Sequence, residues 1–230
     1  MIKLDGPAAS GFWDIDEIAA WLVKHTGVTA VVERRKQRGG AGRWLIGHER
    51  REPIEFLEHG VRFTADVING QKTGFFLDQR ENRRTLRPLC DGAKVLNVFS
   101  YTGGFSVMAG CGGAAHVTSV DSAEPALTAA NAHWRLNGLP DDKHTGVQAD
   151  VFEFLDNARH KRCKWQVVII DPPAFAPSQA SVNRAVSAYR KLAFNGAAVT
   201  DRGSLLALAS CSSHIDEPTF LEACEEGISE

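Results

Sequence analysis

The sequence predicts an α/β protein, with a parallel sheet wrapped by helices over residues 71–230 and a small α+β segment over residues 1–70. Three observations carry that prediction. Apolar runs of strand length alternate with helix-length stretches from about residue 94 onward. Runs such as Trp165–Ile170 are apolar along nearly their whole length, as strands covered on both faces are. An aspartate or a glycine-rich turn then follows strand after strand, on the rim where such sheets bind ligands.

Taken in order, Asp14 followed by Glu17 reads as a helix start, and Ile15, Ile18, Ala19 and Leu22 recur at helical spacing until Gly27. Val28–Val32 is β-branched and predicts a strand, with a basic, glycine-rich loop over Arg34–Gly42 after it. Pro53–Glu58 and Val61–Val67 predict a hairpin turning at His59-Gly60. Val95–Phe99, His116–Val120, Thr145–Gln148, Trp165–Ile170 and Ser204–Ala209 then read as strands. Phe105–Ala109, Glu124–Asn137, Val151–Arg159 and Ser178–Thr200 read as the helices between them, and Ile215–Glu230 leaves room for one short helix.

Composition narrows the class. Of 230 residues, 43% are hydrophobic and 23% charged, and 26 basic against 28 acidic side chains give a net charge of -2. That suits a soluble protein with a substantial core. No run approaches ~18 apolar residues, so no membrane-spanning helix is expected, and the start MIKLDGPAAS has no signal-peptide pattern. Five cysteines at 90, 111, 163, 211 and 224 form no CxxC pair, and the eight histidines show no ligand spacing. A disulfide scaffold and a metal site are therefore not expected, and a cytoplasmic location is. Basic charge gathers at Arg34, Arg35, Lys36, Arg38, Arg43, Arg50 and Arg51, and again at Arg80, Arg83, Arg84 and Arg87. Such clusters suit RNA phosphates or, equally, a solvated loop and helix face.

The rim of the predicted sheet holds the candidate chemistry. Asn97-Val98-Phe99-Ser100-Tyr101-Thr102-Gly103-Gly104 forms the first strand-to-helix turn, where glycines let backbone amides approach a ligand. It is not the GxGxxG of dinucleotide sites. Asp121, with Ser122 beside it, ends the second strand and suits ribose hydroxyls. Asp150, with Val151 next, ends the third and suits an adenine amino group. Each aspartate alone could equally cap a helix. Together with the turn they describe a site for a nucleoside with a small charged tail and no phosphates, as in S-adenosylmethionine (SAM).

Asp171-Pro172-Pro173-Ala174-Phe175 follows the fourth strand as a rigid loop carrying a carboxylate and an aromatic ring, suited to a flat base. Ser210-Cys211-Ser212-Ser213 ends the fifth. A thiolate there can add to carbon 6 of a cytosine and make carbon 5 nucleophilic enough to take a methyl group from a sulfonium, with Asp171 bonding nitrogen 3. The alternative is a small packing residue, the role given to Cys90, Cys111, Cys163 and Cys224.

Lys72-Thr73-Gly74-Phe75-Phe76-Leu77-Asp78-Gln79-Arg80, Asn97–Gly104, Val120-Asp121, Asp150-Val151-Phe152 and Asp171-Pro172-Pro173 resemble the RlmI-like class I SAM-dependent rRNA methyltransferases, from about residue 28 to 215. The resemblance implies a Rossmann-like class I SAM methyltransferase sheet. It puts Phe99, Ser100 and Gly103, with Asn97, Tyr101 and Thr102 in the same block, along the methionine part of SAM. Asp121 would then take the ribose, and Asp150 and Val151 the adenine. Asp171 would stand beside the transferred methyl, and Lys72, Gln79 and Arg80 would close the pocket. The Ser-Cys-Ser pattern matches the branch that makes 5-methylcytosine in large-subunit rRNA, with Cys211 as nucleophile. The sister branch that methylates guanine N7 has an Asn-rich segment there.

Against that family, nothing here matches its N-terminal PUA RNA-binding domain, and only Ile215–Glu230 follows the fifth strand where the family has an antiparallel hairpin. The chain thus reads as truncated at its C-terminus, or as a reduced relative. Two other functions fit the same residues. One is a SAM-dependent methyltransferase acting on another base, a protein or a small molecule, with Cys211 as packing. The other is a non-catalytic SAM- or RNA-binding protein.

Overall fold

The computed structural model describes residues 1–4, 6–34, 43–49, 52–68, 70 and 74–229. They fall into two compact units, Met1–Phe56 with Thr64–Leu77, and Leu57–Phe63 with Asp78–Glu230.

In the first unit, α1 (Pro7–Phe12) precedes α2 (Ile15–Thr26). Asp14 caps α2 as expected, its Oδ1 accepting the Asp16 and Glu17 amides at 3.1 and 3.0 Å, and Gly27 ends it in the left-handed region at φ 72°. β1 (Val31–Glu33) is shorter than the predicted strand, because it pairs antiparallel with β2 (Arg43–Ile46) only over those residues, and Val28 is exposed. Neither α1 nor β2 was legible: α1 is one and a half turns of mixed residues, and β2 has no period-2 pattern. Arg43 of β2 instead reaches Glu33 at 3.1 Å and Asp16 at 3.3 Å, and Arg34 bonds the Gly70 carbonyl. Arg35, Lys36, Arg38, Arg50, Arg51 and Lys72 lie outside the described residues.

The predicted hairpin is β3 (Ile54–Glu58) and β4 (Val61–Ala65), joined by His59 and Gly60 at φ 49° and 80°. Two central residues with positive φ match the right-handed twist of the flanking strands.

The second unit carries the predicted sheet. After α3 (Arg80–Leu86) come β5 (Lys94–Val98), α4 (Gly104–Cys111), β6 (His116–Asp121), α5 (Glu124–Leu136) and β7 (His144–Gln148). Next are α6 (Val151–His160), β8 (Trp165–Ile170), α7 (Val182–Val199), β9 (Thr200–Leu208) and α8 (Glu217–Ser229). The five strands lie parallel in the order β7-β6-β5-β8-β9. One face buries Leu96, Val98, Val120, Val168 and Ile170 against Val151 and Leu155 of α6 and Leu192 and Val199 of α7. α4 and α5 cover the other.

β9 begins four residues earlier than expected. Thr200 pairs with Trp165, and the ladder resumes at Leu205 with Val167, so the strand bulges around Gly203 at φ 74°. Chain direction reverses its winding between β5 and β8, and the carboxyl ends of those strands flank the crevice where open α/β sheets take ligands.

Candidate active site

At the end of β5 the chain turns through Phe99–Gly103 into α4. Phe99 and Tyr101 hold left-handed backbone, at φ 55° and 46°. A non-glycine residue there costs about 1–3 kcal/mol, and such strain collects at functional turns. Asp121, ending β6, braces it: its Oδ2 accepts the Tyr101 amide at 2.8 Å and its Oδ1 the Ala123 amide at 2.9 Å. The Thr102 carbonyl accepts from Nδ1 of the buried His133 at 2.8 Å. Gly103, at φ 76°, lies so close to α5 that a Cβ would stand 2.7 Å from that of Ala130.

Ser100 and Thr102 are 5% and 9% exposed, and their hydroxyl oxygens find no hydrogen-bond partner among the described residues. An unsatisfied buried polar group costs about 1–3 kcal/mol. This turn is therefore where a polar ligand would supply bonds that the protein withholds.

Asn97 faces inward under the turn. Its Nδ2 donates to Ser106 Oγ at 2.8 Å, Ser106 meets Ser119 Oγ at 2.7 Å, Ser119 meets His144 Nε2 at 2.7 Å, and His144 Nδ1 meets Asn131 Oδ1 at 2.9 Å. Only one direction satisfies every member. The Asn97 amide can only donate, so each serine passes its proton onward, His144 accepts at Nε2, and Nδ1–H bonds Asn131. Burial, with His116 adding to it and Asp141 opposing, pushes His144 down to about 4, consistent with a neutral ring.

Asp150 caps α6 through a 3.0 Å bond from the Glu153 amide and is exposed. Val151 is buried in the core, and Ser122 is exposed with its carbonyl bonded by Gln148 Nε2 at 3.2 Å. The helix-cap alternative is thus realised for Asp150, whereas Asp121 braces the turn and holds the Ala123 amide just ahead of α5 without capping that helix.

On the other half of the rim, Gln79 Nε2 donates to Asp171 Oδ1 at 3.2 Å, and Asn82 Nδ2 donates to Gln79 Oε1 at 2.7 Å. Asn82 thereby fixes which end of the Gln79 amide faces the carboxylate. A cavity of about 220 Å³ opens here, with Gln79, Asn82 and Asp171 on its polar side and Phe105, Ile169 and Ala209 on its apolar side. Cys211 is exposed, and its Sγ donates to the Pro172 carbonyl at 3.7 Å. Burial pushes the Cys90 and Cys224 thiols up to about 11 and raises that of Cys111, against the opposing charge of Arg87. Those thiols are inert packing.

The second arginine cluster divides. Arg83 is buried with Glu58 in a bidentate pair at 2.7 Å, and Arg87 bonds the His59 and Cys111 carbonyls at 3.3 and 3.4 Å. The phosphate reading of Arg83 fails because its guanidinium is buried and paired, while half-buried Arg87 is held by carbonyls alone. Arg80 meets His59 Nε2 at 3.2 Å and Glu81 at 3.7 Å, and Arg84 meets Glu81 at 3.1 Å, both on the surface.

A family model for S-adenosylmethionine-dependent methyltransferases matches residues 13–225. The chain belongs to that family. It is 44% identical over 182 residues to a ribosomal RNA large subunit methyltransferase of Deinococcus radiodurans, covering 79% of this chain and 45% of that one. It is 38% identical over 188 residues to ribosomal RNA large subunit methyltransferase I of Photobacterium profundum, covering 82% of this chain and 47% of that one. A solved structure described as a methyltransferase complexed with SAH superposes with a TM-score of 0.80 at 32% identity, over 91% of this chain and 55% of the other. The chain spans about half the length of the curated relatives it matches. The Rossmann-like methyltransferase sheet is therefore as the resemblance implied, and SAM is the cofactor of this family of methyltransferases.

Three residues of this methyltransferase rim escaped the sequence reading. His133 carried a usable signal, since it shares the buried stripe of α5 with Ala126 and Ala130. Tyr189 carried none, because its partners lie beyond β9, and Asn82, three residues from its partner Gln79, gave no sign of the Asp171 carboxylate beyond it.

Proposed function

We propose that this chain binds SAM across the ends of β5, β6 and β7 and methylates large-subunit ribosomal RNA at carbon 5 of a cytosine. SAM supplies an electrophilic methyl group on a sulfonium. In this reading Phe99, Ser100, Tyr101, Thr102 and Gly103 line its methionine part, with Asn97 supporting the turn from beneath. Asp121 and Ser122 take the ribose, Asp150 and Val151 the adenine, and Lys72, Gln79 and Arg80 close the site. The partnerless hydroxyls of Ser100 and Thr102 support this assignment.

The cytosine reading rests on one observation: the Cys211 thiol bonds the carbonyl of Pro172, the neighbour of Asp171, so nucleophile and carboxylate share one rim. The Cys211 thiolate adds to carbon 6 of an unstacked cytosine and drives an electron pair to carbon 5. Asp171, steadied by Gln79, must carry a proton to bond nitrogen 3, an acceptor; it lends that proton as the thiolate adds and recovers it as the carbon 6–sulfur bond breaks. Once carbon 5 is methylated, its proton leaves to solvent, the carbon 6–sulfur bond breaks and the thiolate returns. Residues 1–70 and the surface arginines contact RNA phosphates in this reading.

The test begins with calorimetric titration against SAM and, separately, NAD, where SAM alone should bind. Cys211→Ala should then abolish methylation of large-subunit rRNA while SAM binding stays within about twofold of the parent. RNA carrying 5-fluorocytidine should trap a covalent adduct with the parent alone. Activity retained in Cys211→Ala would move the acceptor to another atom, such as guanine N7.

A further inference from the structure

Two loops carry the chemistry proposed above, Asp171–Ala176 after β8 and Ser210–His214 after β9. One side chain of α7 lies against both. Tyr189 is 2% exposed, with its ring packed on Phe175 at 5.3 Å and edge-on to Phe220 at 5.1 Å. Its hydroxyl oxygen lies 2.8 Å from Ser210 Oγ and 2.9 Å from Ser212 Oγ. Ser212 Oγ also accepts the Phe175 and Ala176 amides at 3.0 and 3.3 Å, and Ser210 Oγ accepts the Ser212 amide at 3.3 Å.

These contacts fix the direction of the protons. A serine hydroxyl has one proton and two acceptor positions. Two amides fill the acceptor positions of Ser212, so its proton goes to Tyr189. The phenol, having accepted there, donates its own proton to Ser210. Cys211 is the residue between the two serines. A tyrosine that merely filled the core would need no such partners, and here the phenol is the only side chain described as bonding both.

We propose that the Tyr189 hydroxyl is a positioning group that locks the Cys211 turn onto the Asp171–Ala176 loop, and so sets where the thiol stands relative to Asp171. The lock is read from geometry alone. Its consequence for methyl transfer rests on the function proposed above, and the experiment separates the two.

Tyr189→Phe keeps the ring contacts and removes only the hydroxyl. Ser212→Ala removes the hub of the same network and serves as the second variant. Iodoacetamide alkylation at pH 7.5 is followed at the Cys211 peptide by mass spectrometry, beside kcat and the KM for SAM. The locked thiol donates its proton to the Pro172 carbonyl and is held in the S–H form, whereas the thiolate is the species that alkylates. Both variants should therefore alkylate at least about threefold faster than the parent, with kcat down about tenfold to a hundredfold for a displaced nucleophile and the KM for SAM unchanged. Alkylation at the parent rate or slower in both variants overturns the lock. Faster alkylation with an unchanged kcat keeps the lock and removes Cys211 from the chemistry, which is a failure of the proposed function instead.

Discussion

The two halves of the rim are held together in opposite ways. The turn after β5 is braced by its own neighbourhood: left-handed Phe99 and Tyr101, a glycine pressed on Ala130, and a carboxylate one strand away. The loops after β8 and β9 are held instead by side chains of helical segments beside the sheet, Tyr189 on α7 and Gln79 with Asn82 at the start of α3. A turn built from its own backbone fixes one geometry and suits a ligand that does not vary. Loops tied by exchangeable hydroxyls and amides can be re-aimed by single substitutions, which suits the half proposed to meet the methyl acceptor.

The largest expected effect strikes the side-chain kind of support. Arg83 and Glu58 are both 2% exposed and paired by two 2.7 Å bonds, fastening α3 to the hairpin strand β3. Arg83→Met leaves the Glu58 carboxylate buried without that partner, and should cost about 3–5 kcal/mol in denaturant unfolding. The double variant with Glu58→Leu should recover most of that loss. If it does not, the pair itself is net stabilising beyond the cost of an orphaned charge, whereas a small loss in Arg83→Met alone would mean that packing holds α3.

The same contrast explains what could be read from the sequence. Strands β5 to β8, the capped helix α2 and the turn at 97–104 were legible because their signals are local: an apolar run, a cap, a glycine. The roles of Arg83 and Tyr189 were not. An arginine among arginines reads as a charged face until a buried glutamate 25 residues away claims it. A tyrosine on an apolar stripe reads as core until two serines from the next strand's end meet its hydroxyl. Side-chain ties across long separations leave no period and no spacing.

Next in size is the local brace. Gly103→Ala would press a Cβ onto that of Ala130 at 2.7 Å, in a backbone conformation at φ 76° that side chains disfavour. A loss of about 2–3 kcal/mol is expected from overpacking and strain together, read as a lowered denaturant midpoint. SAM binding should fall with it, since the turn cannot shift without moving Ser100 and Thr102.

A smaller effect follows pH. His144 is held at about 4 in the fold against 6.5 outside it, so between these values the unfolded chain binds more protons. Stability is then complete above about pH 6.5 and declines as the pH falls to about 4, by about 2 kcal/mol after allowance for the ring's remaining contact with water. His144→Gln cannot ionise and should flatten that slope. Because the relay passes its protons from Asn97 toward His144, protonating Nε2 would force Ser119 to turn its hydroxyl away, loosening the support beneath the β5 turn but not the loops at Cys211.

The smallest change tests whether the local brace also binds. Asp121 spends one oxygen on the Tyr101 amide and one on the Ala123 amide. In Asp121→Asn one oxygen remains, and the amide nitrogen opposes one of the two N–H donors, so a stability loss of about 1 kcal/mol is expected from that bond. If bracing were the whole role of Asp121, SAM affinity would fall only as far as the turn loosens, and saturating SAM would restore much of the lost stability. If the carboxylate also takes the ribose hydroxyls, affinity falls further, about tenfold or more for a lost charge-assisted bond, and the same SAM concentration stabilises the variant by about 1.4 kcal/mol less than the parent. Comparing the loss of affinity with the loss of stability in this one variant separates a residue that shapes the turn from one that also holds what the turn was shaped for.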